Sequence, residues 1–79
     1  MSDIEERLNR VLVTQFAVDE TSITPATRFQ EDLKADSLEV VELIMTVEET
    51  FNIVVDDDEA EKLQTVGDLI DFLKSKQPP

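Results

Sequence analysis

The chain has 79 residues, 41% of them hydrophobic, and nineteen Asp and Glu against seven Lys and Arg leave a formal net charge of −12: apolar material for one small core and too little chain for two. Without Cys or His, and with a single Gly, it has no disulfide, no thiolate or imidazole catalyst, no Cys- or His-ligated metal and no glycine-rich phosphate loop, so self-contained catalysis is not expected. Such acidity repels nucleic-acid phosphates and anionic membrane surfaces and suits basic protein partners.

The first segment, MSDIEERL, is acidic where a secretory leader is basic, and no apolar run approaches a membrane span. The expected location is the cytoplasm, or an organelle interior if a leader has been removed. Ser2 and Glu5 form a capping box, and Ile4, Leu8, Val11 and Leu12 repeat at helical spacing, which predicts a helix from about Asp3 to Gln15. Residues 16–35 lack a period, and Thr24-Pro25 disfavours helix. A long ordered loop is predicted there, with room for one short turn of helix. Val18, Ile23, Phe29 and Leu33 would dip into the core at intervals and so give the loop its order.

Asp36 and Glu39 form the next capping pair, opening a helix from about Ser37 to Phe51. Leu43, Val47 and Phe51 lie on one stripe, widened by Val40 and Ile44, while Leu38, Val41 and Met45 make a second stripe on roughly the opposite side. A bundle this small cannot bury both equally. Asn52 to Val55 is rich in β-branched residues but too short for an independent strand pair. Asp56, Asp57, Asp58 and Glu59 put negative charge where a helix N-terminus favours it, predicting a short helix from about Asp57 to Lys62. Counted as a calcium loop from Asp56, the sixth residue is Glu61 and the twelfth Gly67, so the EF-hand pattern fails and no dedicated metal site is expected. Thr65 with Asp68 caps a last helix whose core face is Val66, Leu69, Ile70 and Leu73, with Lys74 and Lys76 in its last turn and Pro78-Pro79 beyond. The fold class expected is all-α: one domain, a small four-helix bundle of three main helices, a short third helix, and a long ordered loop between the first and second. Residues 36–63 carry ten acids and one base, so most of the net charge falls on the second and third helices and their connection, the candidate partner face.

The segment Glu31-Asp32-Leu33-Lys34-Ala35-Asp36-Ser37-Leu38-Glu39 sets a serine at a helix start, at the end of an ordered loop, just after an acidic cap. Taken alone, such a serine is an N-cap or first-turn residue. In this context Asp36-Ser37-Leu38 resembles the phosphopantetheine attachment site of the acyl carrier protein family. The stretch Val40-Val41-Glu42-Leu43-Ile44-Met45, continuing to Val47-Glu48-Glu49-Thr50-Phe51, is similar to that family's recognition helix. Asp58-Glu59-Ala60-Glu61-Lys62-Leu63 and Thr65-Val66-Gly67-Asp68 resemble its third helix and the entry to its fourth. The likeness covers nearly the whole chain. One position departs from it: the family often has Gly where Lys34 stands, which gives up easy access to positive φ and puts a cation three residues from Ser37.

The resemblance implies a carrier and not an enzyme, of the stand-alone type that serves fatty acid synthesis. It implies that a phosphopantetheinyl transferase moves 4′-phosphopantetheine from coenzyme A to the hydroxyl of Ser37, flanked by Asp36 and Leu38. Acyl groups then ride as thioesters on the arm's thiol, so the chain itself needs no Cys. A hydroxyl is a poor nucleophile without a base, and none of useful pKa stands beside Ser37; the chain contributes presentation at a helix N-terminus, where N–H groups and the dipole favour a phosphodiester. Glu39, Glu42, Glu48 and Glu49 read on their own as a solvated face. With Leu38, Val41 and Met45 beside them they read as a docking surface for the basic patches of fatty acid synthesis enzymes, apolar at the centre and charged at the rim. Val40, Val47, Phe51, Val55, Ala60 and Leu63 are core on pattern alone; the resemblance implies that they shelter an acyl chain between the second and third helices, at about 0.8 kcal/mol per buried CH₂. The expected protein is a monomer that binds no nucleic acid and does not insert into membranes. Two other readings stay open at this point: a carrier of polyketide, peptide or other specialised acyl groups, and an unmodified acidic helical interaction module in which Ser37 only caps a helix.

Overall fold

In the computed structural model, residues 3–76 are described. Among them the chain forms α1 (Asp3–Phe16), a 3-10 turn (Glu20–Ser22), α2 (Ser37–Phe51), α3 (Asp57–Lys62) and α4 (Val66–Lys76). The described residues form no strand, only an isolated antiparallel bridge between Arg28 and Thr65. The expected small all-α bundle is therefore what forms, down to the short third helix and the single helical turn inside the long loop. α1 runs one residue past the expected Gln15, and Ala17 at φ 54 ends it, its N–H donating to the Val13 carbonyl at 3.0 Å. Ser2 of the expected Ser2–Glu5 pair and Pro78-Pro79 lie outside the described residues.

The apolar stripes close on one core. Leu8 and Leu12 of α1, Leu43 and Val47 of α2, and Leu69 and Leu73 of α4 are fully shielded from solvent. Each such side chain contributes about 1.5–3 kcal/mol through burial, which is why the three helices meet along one apolar stripe of each. α1 packs against both α2 and α4. Arg7 of α1 also donates to the Thr50 carbonyl near the end of α2 and lies 4.7 Å over the Phe51 ring. It thereby supplies the cation that the last turn of α2 lacks. The short α3 contributes no fully buried residue; Ala60 packs against the core from its edge, and Leu63, just past the helix, enters it.

The loop between α1 and α2 is ordered because it and the start of α4 satisfy one another. A helix begins with N–H groups that have no internal acceptor. Those of Val66 and Gly67 donate to the carbonyls of Thr27 and Pro25, both at 2.9 Å, and the Phe29 N–H donates to the Gln64 carbonyl at 3.0 Å. The Pro25 carbonyl lies so close that a Cβ at position 67 would stand 2.9 Å from it, which accounts for the chain's one glycine. Phe29 anchors the loop in the core, with Ile23 and Leu33 packed at the core's edge. Val18, the fourth residue expected to dip inward, is half-buried. The Asp32 carboxylate closes the following turn by accepting from the Arg28 N–H at 2.8 Å. That bond above all, assisted by the Arg28 guanidinium, holds the Asp32 carboxyl below its usual 3.8.

Candidate functional site

Ser37 is the first residue of α2, and local geometry fixes it there. Asp36 is the N-cap: its carboxylate accepts from the Glu39 N–H at 2.8 Å, while the Glu39 carboxylate accepts from the Asp36 N–H at 3.3 Å. This is the reciprocal box the pattern predicted. Upstream, Lys34 adopts φ 56, so the left-handed turn forms even without glycine, at about 1–2 kcal/mol for a residue with a Cβ. That turn sends Ala35 into the interior, its N–H donating to the Phe29 carbonyl at 3.0 Å, and brings Ser37 out to solvent. Among the described residues, no acceptor engages the N–H groups of Ser37 and Leu38. An exposed hydroxyl thus stands beside two unpaired donors at a positive helix end.

A cleft of about 410 Å³ opens next to Ser37, within the ~300–1,000 Å³ of small-molecule sites. Its apolar lining is Val40 of α2, Ala60 of α3 and Leu63; its polar lining is Arg28, Gln30 and Glu31 from the long loop, with Glu61 and Gln64. Three of the six residues expected to shelter an acyl chain line this cleft. Val47 and Phe51 instead sit in the core, 0% and 4% exposed. Val55 lies half-buried on the α2–α3 connection, its N–H donating to the Glu48 carboxylate at 3.0 Å. The cation lining the cleft is Arg28 and not Lys34; its guanidinium reaches Glu31 at 2.7 Å and Asp32 at 3.4 Å. Sequence reasoning missed Arg28, Gln30 and Gln64. No local pattern ties them to Ser37, and only the pairing of the loop with the start of α4 brings them there.

On the outer face of α2, Leu38, Val41 and Met45 are exposed by half or more. Glu42 and Glu49 are exposed beside them, and among the described residues no ion pair engages either carboxylate. The other two acids of the expected docking face have structural work as well. Glu39 belongs to the capping box, and Glu48 holds the connection by accepting from Val55. Val54, not singled out by pattern, is 72% exposed on that same connection. Among the described residues, no group of three or more acidic side chains is placed to hold a metal ion, and no helix is long and apolar enough to cross a membrane.

Residues 6–73 match the protein family described as phosphopantetheine attachment site. The match contains the long loop, all of α2 and α3, and the start of α4. A domain of this kind is a carrier and not a catalyst: a transferase attaches 4′-phosphopantetheine to it covalently, and acyl groups ride on that arm as thioesters. The exposed hydroxyl, the unpaired N–H groups and the cleft that starts at Ser37 fit such a group. With most of its length matched, the chain belongs to the phosphopantetheine attachment site family, that of the acyl carrier proteins.

Proposed function

We propose that Ser37 is the attachment residue and that the chain is a carrier of the fatty acid synthesis type, docked by its partners through α2. The observation that carries this is the position of Ser37: a solvent-exposed hydroxyl at the first residue of α2, between a cleft and an exposed apolar stripe flanked by unpaired acids. When attached, the arm supplies the thiol that holds acyl groups, which a chain without Cys cannot. The residues of the chain orient and present. Asp36 and Glu39 lock the helix start, and the N–H groups of Ser37 and Leu38 point free donors at the phosphate position. The adjacent Asp36 carboxylate is committed to the helix cap, accepting from the Glu39 N–H at 2.8 Å, so the transferase provides the base.

Leu38, Val41 and Met45 form the apolar centre of the docking face, and Glu42 and Glu49 its charged rim, joined by the partly engaged Glu39 and Glu48. Long-range attraction to basic patches speeds encounter, and a small contact area permits release to the next enzyme. Val40, Ala60 and Leu63 provide the first shelter for an acyl group. Val47, Phe51 and Val55 come into reach only as α2 and α3 part, a motion that α3, with no fully buried residue, resists least. The cytoplasm is the proposed location and a monomer the proposed state. Acidity and length favour fatty acid synthesis over polyketide or peptide assembly. Glu42→Lys is the test of docking: kcat/KM with each of several fatty acid synthesis enzymes should fall by about fivefold, the equivalent of ~1 kcal/mol at an exposed rim, with the urea midpoint unchanged. Glu48→Lys should slow turnover too, but also lower stability by about 1 kcal/mol through loss of the bond to Val55. Unchanged rates for Glu42→Lys with every partner would remove the docking assignment.

A further inference from the structure

The apolar stripe of α1 is interrupted at one position. Continued from Leu8, Val11 and Leu12 at helical spacing, it reaches Gln15. Gln15 is half-buried, where an apolar side chain would serve packing better than an amide. Its Nε2 donates to the Glu39 carbonyl, in the first turn of α2, at 3.0 Å. Inside a helix such a carbonyl already accepts from the N–H four residues on, so the Gln15 amide takes its second lone pair. Glu39 is also the residue whose N–H and carboxylate close the cap with Asp36. The tie falls where α2 has little other anchorage. Its first buried residue is Leu43, Leu38 and Val41 are exposed, and Val40 reaches only the edge of the core. Among the described residues, no other hydrogen bond joins residues 37–42 to another element. α1 holds the far end of α2 separately, through Arg7 and the Thr50 carbonyl.

We propose that Gln15 is a positioning residue for attachment of the arm: through the Glu39 carbonyl it holds the first turn of α2, and with it the Ser37 hydroxyl, at one fixed angle to the bundle. The inference rests on attachment at Ser37 and adds to it a residue twenty-two positions upstream that acts only through Glu39. In the transfer step the Ser37 oxygen bonds to the pantetheine-bearing phosphorus of coenzyme A. The pyrophosphate bond to the adenosine bisphosphate leaving group breaks, and the hydroxyl proton passes to the transferase's base. That displacement needs the oxygen in line with the leaving group, so a first turn free to tilt loses rate even while the carrier still binds. Stability alone gives no reason for an amide on the stripe; fixing the direction of Ser37 gives one.

The test uses the full unmodified chain as substrate for a phosphopantetheinyl transferase and coenzyme A, with kcat and KM measured for three variants. Gln15→Met keeps the length of the side chain and removes the donor. Gln15→Lys restores a donor at similar reach. Arg7→Met cuts the other tie between α1 and α2, far from Ser37, and serves as the control for general loosening. Gln15→Met should lower kcat about fivefold, the effect of one neutral hydrogen bond, with KM and the urea midpoint unchanged and the backbone amide NMR signals of Ser37 and Leu38 shifted. Gln15→Lys should recover kcat, and Arg7→Met should lower the urea midpoint without changing kcat. Full kcat for Gln15→Met overturns the proposal. So does an equal fall in kcat for Arg7→Met, which would tie the rate to stability of the bundle, or a Gln15→Lys variant as slow as Gln15→Met, which would show that the donor is not what matters. Failure of the wild type to gain the arm's mass is a separate result, and takes down attachment at Ser37 and the role of Gln15 together.

Discussion

Lys34 holds φ at 56, a conformation that glycine adopts without steric cost and a Cβ-bearing residue does not. Its side chain is exposed, and among the described residues no ion pair compensates. Lys34→Gly should therefore stabilise the chain by about 0.5–1 kcal/mol, the relief of strain less the added freedom of the unfolded glycine; a higher urea midpoint at unchanged slope is the expected reading. Asp32 makes a prediction in pH. Its carboxyl is held below 3.8 chiefly by the Arg28 N–H, so the charged form is favoured by folding. The stability it adds is complete above its unfolded value and is lost as pH falls through the lower folded one. The gap in urea midpoint between wild type and Asp32→Ala should then narrow below about pH 4, and a gap that stays constant to pH 2 would contradict the assignment. Features set within a few positions, such as the Asp36–Glu39 cap and the placement of Ser37 at the start of α2, were legible in the sequence. Glu48 was not: its partner Val55 lies seven residues on, past a left-handed Asn52 that turns the chain back.

Helices were legible because each carries its apolar period and its cap within its own residues, and α1, α2 and α3 end within a residue of where pattern placed them. What the pattern could not supply was the set of partners between elements. Nothing local announces that the first N–H groups of α4 are capped by carbonyls some forty residues upstream, or that Arg7 of α1 caps the end of α2. The long loop's order was inferred from four apolar residues, and its anchor proved to be Phe29 together with this backbone pairing. Gly67 is where that pairing is tightest. Gly67→Ala would drive a Cβ to 2.9 Å from the Pro25 carbonyl, so the loop or the helix must shift, at about 1–3 kcal/mol. A fall in melting temperature, with weaker protection of the Phe29 and Val66 amides from hydrogen exchange, is the expected outcome. An unshifted melting temperature would mean that the loop is held by Phe29 alone. Because Arg28 and Gln30 reach the cleft through the same loop, the variant also tests how the rim beside Ser37 is positioned.

At the scale of the whole molecule, charge and core face different ways. The core is drawn from all three longer helices, whereas the net charge of −12 is concentrated in residues 36–63, which carry ten acids and one base. Of the four ion pairs among the described residues, only Lys76–Glu59 engages an acid of that segment, and all four join exposed or half-exposed side chains, where each is worth little. A stability-driven sequence would have no reason to keep α2 so acidic and Leu38, Val41 and Met45 in solvent; a surface that must be found quickly and released by several basic partners has one. That asymmetry was visible in the sequence, because it is a count of residues. The cleft was visible only in part, because a third of its lining, Arg28, Gln30 and Glu31, comes from a loop with no period. All of this turns on the hydroxyl at the start of α2, and the most direct measurement is the intact mass of the chain after incubation with coenzyme A and a phosphopantetheinyl transferase. The wild type should gain one phosphopantetheine and Ser37→Ala none. No gain on the wild type, with a transferase active on a known carrier, or an equal gain on Ser37→Ala, would contradict the assignment of Ser37.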